Sequence, residues 1–149
     1  MNNEERINQI MNMPYEEKVK CARANYEAIM ASVDTSWQQV KPDDADHPVN
    51  AVRKSMYVLS AVIVFGNYCF SEVESNFLTE AIDLEKSMIN ELKHDCKEYF
   101  IDAVQVFRKY LHTEQREQLT EIMLLLATVD GHTSKKEMKW INKTLEFIV

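Results

Sequence analysis

Apolar residues recur at helical spacing along most of this chain. Between Tyr15 and Val33 they fall at Val19, Ala22, Tyr26, Ile29, Met30 and Val33. Pro14 suits a first helical position, and Glu16 and Glu17 suit the positive end of the helix dipole. The pattern predicts a helix there and a shorter one before it, around Glu4 to Met11. The stretch Asp34–Pro48 has no period, two prolines and four acids. It is expected to be a loop and the most mobile internal segment.

A second long helix is expected from Pro48, with Val49, Val52, Met56, Leu59 and Ile63 inward and a stop at Gly66-Asn67. A third runs from Ser71 with Val73, Phe77, Ala81, Leu84, Met88 and Leu92, and breaks near His94-Asp95. Asp95 followed by Glu98 resembles an N-cap with its reciprocal partner. The next carries Tyr99, Ala103, Val106, Phe107 and Tyr110. Thr113 can cap the one after, which buries Leu119, Ile122, Met123, Leu126 and Val129. The last starts at Ser134 with Met138, Ile141, Leu145 and Ile148. No segment alternates long enough to argue a strand.

Composition agrees with this pattern. The chain has 149 residues, 46% of them apolar, with only two glycines and three prolines. All-β and α/β folds need many more turn residues, so an all-α fold with few connections follows. The net charge is −7. That disfavours nucleic acid and anionic lipid, whose binding rests on Lys and Arg neutralising phosphates. Cys21, Cys69 and Cys96 lack metal-site spacing and fit a reducing cytoplasm. The polar N-terminus does not have the pattern of a secretory signal. The longest apolar run, Tyr57–Phe65, is less than half of what spans a bilayer.

Two stretches align without gaps: AVIVFGNYCFSEVESNFL, Ala61–Leu78, and LLLATVDGHTSKKEMKWI, Leu124–Ile141. Asn67 falls on Asp130, Ser71 on Ser134, Glu74 on Glu137 and Phe77 on Trp140. Ser-x-x-Glu is a capping box, in which the Ser hydroxyl accepts from the Glu N–H and the Glu carboxylate accepts from the Ser N–H. Asp130-Gly131 suits a tight turn. Each copy therefore predicts a helix, a turn and a capped helix, and the motif can be wholly structural. A second reading stands beside it: Asp130 and Glu137 could offer oxygens to Ca²⁺ or Mg²⁺.

The pattern Ala-x-x-Asp-Gly-x-x-Ser-x-x-Glu after an apolar helix, here Ala127, Asp130, Gly131, Ser134 and Glu137, resembles the TerB-like family of tellurite-resistance proteins. The resemblance covers Pro48–Val149. It implies two related helical hairpins joined by a helix, to which residues 1–47 add a helical extension and an acidic loop, packed together as one domain. It also implies a cytoplasmic, non-enzymatic binding or scaffold module in a metal or chemical stress response, with a protein partner and no membrane insertion. The family's acidic positions carry over to Asp130, Glu137 and Glu74, with Asn67 in place of the fourth, as ligands for a weakly bound divalent cation. The first copy departs from the family pattern, because Asn67-Tyr68 replaces Asp-Gly and removes a charge.

Other chemistry is sparse. Glu91 and His94 form a single Glu-x-x-His, whereas di-iron bundles need two with further Glu on facing helices. A metal-carrying bundle enzyme built on this pair is the alternative function. His47, His94, His112 and His132 fall at element ends without zinc spacing. With only Gly66 and Gly131, Gly-rich phosphate loops are excluded. Lys135, Lys136, Lys139 and Lys143 give the last helix a basic, solvated face, with a partner-binding stripe as the lesser reading.

Overall fold

The computed structural model describes residues 3–40, 48–66, 70–131 and 135–148, and all side chains among them except those of 35–40, 135–137 and 140. These residues form eight helices and no strand. The helices are α1 (Asn3–Ile10), α2 (Tyr15–Val40), α3 (Pro48–Gly66), α4 (Glu72–Ile82), α5 (Lys86–Glu91), α6 (Cys96–Tyr110), α7 (Thr113–Thr128) and α8 (Lys135–Glu146). The all-α expectation is met.

Two helices form the centre. In α3 every residue from Val58 to Val64 is buried, and in α7 every residue from Ile122 to Thr128. A helix apolar on all sides must be surrounded. Accordingly α3 packs most extensively on α6 and also meets α2, α5, α7 and α8, while α7 packs most extensively on α2 and also meets α1, α3, α4 and α8. By length and composition α3 would suffice to cross a membrane, but here it is a core helix. The extension is part of the same core, since Ile7, Ile10, Ala22, Ile29 and Val33 are buried in it.

One buried group in α3 is anomalous. The Ser60 hydroxyl is fully buried and has no hydrogen-bond partner among the described residues. An unsatisfied buried hydroxyl costs free energy that alanine avoids. Ser60→Ala should therefore raise stability by about 1 kcal/mol, read as a higher urea midpoint, whereas a lower midpoint would show that the hydroxyl has a partner.

The structure corrects several boundaries. α2 does not stop at Val33 but continues to Val40. DTSWQQV has no Gly or Pro to end a helix, and the first strong break is Pro42, which disfavours helix at the residue before it. The rest of the expected loop, 41–47, lies outside the described residues. The expected single helix from Ser71 to Leu92 is two, α4 and α5. Asp83 takes the left-handed conformation at φ 58°, ψ 30°, and the Leu84 N–H reaches back to the Leu78 carbonyl at 3.1 Å. This is a Schellman-type stop with Asp where glycine is usual. Arg53 donates to the Asp83 carbonyl at 3.2 Å, and Arg23 pairs with its carboxylate at 2.9 Å.

That interruption changes which residues face inward. After it, Ile89 is buried and Met88, expected inward, is 42% exposed. In α6 the stripe is Cys96, Ala103, Val104 and Phe107, so Tyr99 points out. Val73 is likewise exposed, because Glu74, Ser75, Phe77 and Leu78 form the buried face of α4. The caps differ too. His112, not Thr113, is the N-cap of α7, and its N–H donates to Gln115 Oε1 at 3.1 Å. Asp95 is at the N-cap of α6 but makes no side-chain capping bond. The backbone turns continuously from α5 there, and the Cys96 N–H is already satisfied by the Leu92 carbonyl at 2.9 Å.

Candidate functional site

The Asp130-Gly131 turn follows α7 directly. The Gly131 N–H donates to the Thr128 carbonyl at 3.1 Å, and Gly131 sits at φ +75°. A Cβ built on Gly131 would meet nothing within 4 Å. Glycine is needed here for the sign of φ, not for space.

A cation does reside at this end of α7, and it belongs to the chain. Lys18, on α2, is buried, and its Nζ donates to the Thr128 carbonyl at 2.7 Å with Thr128 Oγ1 at 3.4 Å. The last carbonyls of a helix have no partner within it and carry the negative end of the dipole. An ammonium answers both needs. Burial pulls the Lys18 pKa below the ordinary lysine value, and the charge of nearby Asp130 pulls it back up. Thr128 turns its own hydroxyl onto the Leu124 carbonyl at 3.0 Å, so this helix end is bonded from two directions.

Glu74 has a different task. It is 1% exposed, and its Oε1 accepts from the Ser71 N–H at 2.9 Å and the Ser71 hydroxyl at 3.0 Å. The Glu74 N–H in turn donates to Ser71 Oγ at 3.1 Å. The first capping box is therefore formed as expected. Glu74→Ala should cost about 1–3 kcal/mol, because it removes the acceptor of two Ser71 donors and opens space beside the core. Chemical denaturation checks this, and a loss no larger than that of Glu72→Ala, on the exposed side of the same turn, would contradict it.

Asn67, the Glu137 side chain and Ser134 lie outside the described residues, so the second capping box and half of the expected ligand set cannot be placed. Among the described residues, no group of three or more His, Cys, Asp or Glu side chains is arranged to hold a metal ion. Glu91 and His94 are both exposed, at the end of α5 and in the turn after it. Lys139 and Lys143 lie exposed on α8, as a solvated face requires.

Other titratable groups hold the extension in place. Arg6 of α1 makes a forked contact with Glu121 of α7, with Nε 2.8 Å from Oε1 and 3.0 Å from Oε2. Cys21 of α2 lies 3.9 Å from the same carboxylate, and burial, then the Glu121 charge, pushes its thiol pKa up. A thiol so placed is a poor nucleophile. Tyr15 donates to Glu80 of α4 at 2.5 Å, and burial, followed by that carboxylate, raises its pKa strongly.

Sequence reasoning missed Lys18. One signal was present: Lys18 lies four residues before Ala22 and eight before Tyr26, on the face that α2 buries. A lysine in an apolar stripe needs an acceptor, and a helix end is a ready one. No known family model, curated protein or solved structure matches the chain.

Proposed function

We propose that this chain is a non-enzymatic, TerB-like helical module that acts by docking to a protein partner in the cytoplasm during a metal or chemical stress response. Two features of the packing support a TerB-like pair of hairpins. The helix leading into the first sequence copy, α2, packs most extensively on α7 of the second, and the helix leading into the second copy, α6, packs most extensively on α3 of the first. This reciprocal exchange is what two related three-helix units, α2–α4 and α6–α8, would make about a two-fold axis. The capping box at the start of α4 is the local chemistry the repeat requires.

The observation that carries the reading of Asp130 as structural first is the Lys18 ammonium on the Thr128 carbonyl, close enough to Asp130 for its charge to be felt. The position at which the resemblance expects a divalent cation already receives a positive charge from the chain. Asp130 then works first as part of a turn and of this internal charge pairing, and any Ca²⁺ or Mg²⁺ there binds weakly. A tight Ca²⁺ site uses about six to eight oxygens, several anionic. Asp130 with Glu137 and Asn67 falls short of that number, and Glu74 is engaged in its cap.

Calorimetric titration of the purified chain with Ca²⁺, Mg²⁺ and Mn²⁺ tests the metal side of this reading. Affinity no better than about 10⁻⁴ M is expected. Micromolar binding abolished by Asp130→Asn would overturn it. The stress side is tested by deleting the gene and challenging cells with tellurite and with divalent metals. Growth indistinguishable from wild type under every challenge would remove that assignment.

A further inference from the structure

Two adjoining hollows lie where α3, α6 and α8 meet. One encloses about 250 Å³ and is lined by Val62, Lys97, Phe100, Lys143, Thr144 and Phe147. The other encloses about 230 Å³, shares Val62 and Lys97, and continues over Phe65 and Gly66 to Lys93 and His94. Together they form a groove with an apolar floor and a basic rim. Its far wall is built. Phe147, 44% exposed, stands edge-on to Phe100 at 5.9 Å and 88°, and Arg108 of α6 donates to the Phe147 carbonyl at 2.9 Å.

The charge of this groove runs against that of the molecule. The chain has a net charge of −7, yet among the described residues the groove lining contains no Asp or Glu. Arg6 and Arg23 are engaged in ion pairs elsewhere, whereas Lys93, Lys97 and Lys143 make none with described residues. Single unpaired surface lysines are ordinary. Three lining the same apolar groove, on an acidic protein, make a local field that selects anions.

We propose that this groove binds an acidic peptide segment of a protein partner, with one apolar side chain seated in each hollow and its carboxylates on Lys93, Lys97 and Lys143. Shape favours a peptide over a small molecule. Small-ligand sites usually bury most of the ligand, whereas both hollows here are open to solvent along one side. Two adjoining open hollows that share Val62 and Lys97 can each take one apolar side chain of the same amphipathic segment. The proposal rests on the docking-module reading and gives that module a surface and a partner chemistry.

The test uses the full chain, labelled with ¹⁵N, and a capped 14-residue peptide with Leu and Phe four residues apart among glutamates. Saturable shifts are expected at Val62, Phe100, Thr144 and Phe147, and they should weaken several-fold on raising salt from about 50 to 300 mM. The double variant Lys97→Glu/Lys143→Glu should lose at least about tenfold in affinity with unchanged thermal melting, since both side chains are exposed. Replacing the peptide's Leu and Phe with Ala should weaken binding comparably. Absence of saturation at millimolar peptide, shifts centred elsewhere, equal binding of a lysine-for-glutamate peptide, or binding of phosphatidylglycerol vesicles in preference to the peptide would each overturn the proposal. These readouts do not depend on tellurite or metals, so the groove can fail while the stress assignment stands, and the reverse.

Discussion

Phe107→Ala should remove about 3–5 kcal/mol of stability, among the largest losses expected from a single truncation in the core. Phe107 is fully buried, in the last turns of α6, and with Cys96, Ala103 and Val104 it forms the face by which that helix joins the core. No other aromatic side chain of α6 is fully buried: Phe100 and Tyr110 pack against the core only in part, and Tyr99 and Ile101 point outward. Truncation loses the transfer free energy of the ring and leaves a cavity that helices on both sides cannot fully close. A domain of this size is stable by about 5–15 kcal/mol, so the variant should remain folded at 25 °C but with a urea midpoint lowered by at least about 1 M. Ile101→Ala, on the same helix and 56% exposed, is the control and should stay within about 0.5 kcal/mol of wild type. If the two variants had equal midpoints, the seating of α6 on α3 would be wrong.

Much of this fold could be read from the spacing of apolar residues, because helix formation and the choice of buried face are both set within a few turns. The dense apolar band of α3 and the inward stripe of α7 are legible, though not the burial of α7 on every side from Ile122 to Thr128, and the Ser71–Glu74 capping box is legible because its two partners are three residues apart. What was not legible depended on long-range neighbours. Asp83 ends α4 in a left-handed conformation with help from Arg53 and Arg23, which lie on two other helices. No local rule singles out that aspartate. Once α4 ends there, the inward face of α5 moves to Ile89, and the expectation for Met88 fails with it. The extension of α2 to Val40 was missed for the opposite reason. A polar, aperiodic stretch reads as loop, although DTSWQQV holds no residue that breaks a helix.

The candidate site divides along the same line. The glycine at 131 was readable, since a turn after a helix that requires positive φ favours Gly. The expected role of Asp130 as a metal ligand rests on its carboxylate and on the resemblance, and the residue that adds a charge of the chain's own beside it is Lys18, 110 positions away from Thr128 in sequence. An apolar stripe interrupted by one lysine shows that a partner is needed. It does not show which helix end supplies it.

Lys18 should be the most charge-sensitive position in the chain. Lys18→Glu would set a carboxylate against the Thr128 carbonyl, in the field of Asp130, at a position only 3% exposed. The expected loss is about 3–5 kcal/mol, as for an uncompensated buried charge. Lys18→Met keeps the stem and its packing while removing the donor, so it should cost only about 1–2 kcal/mol, partly offset by no longer burying a charge. The pH dependence separates the two contributions. The pKa of Lys18 in the folded state lies below the ordinary value, so the unfolded chain binds more protons between the two. Stability due to this group is therefore lowest at and below neutral pH and rises as pH climbs through the folded pKa toward about 10.4. Cys21, Cys96, Tyr15 and Tyr26 titrate nearby with raised pKa values and act in the opposite direction, but they are present in both proteins and cancel in the difference. The urea midpoint of wild type minus that of Lys18→Met should then grow between pH 7 and pH 10. A flat difference would mean that the ammonium is solvated. A Lys18→Glu variant as stable as wild type would mean that the internal cation does not hold the end of α7, and Asp130 would again be free to serve a metal.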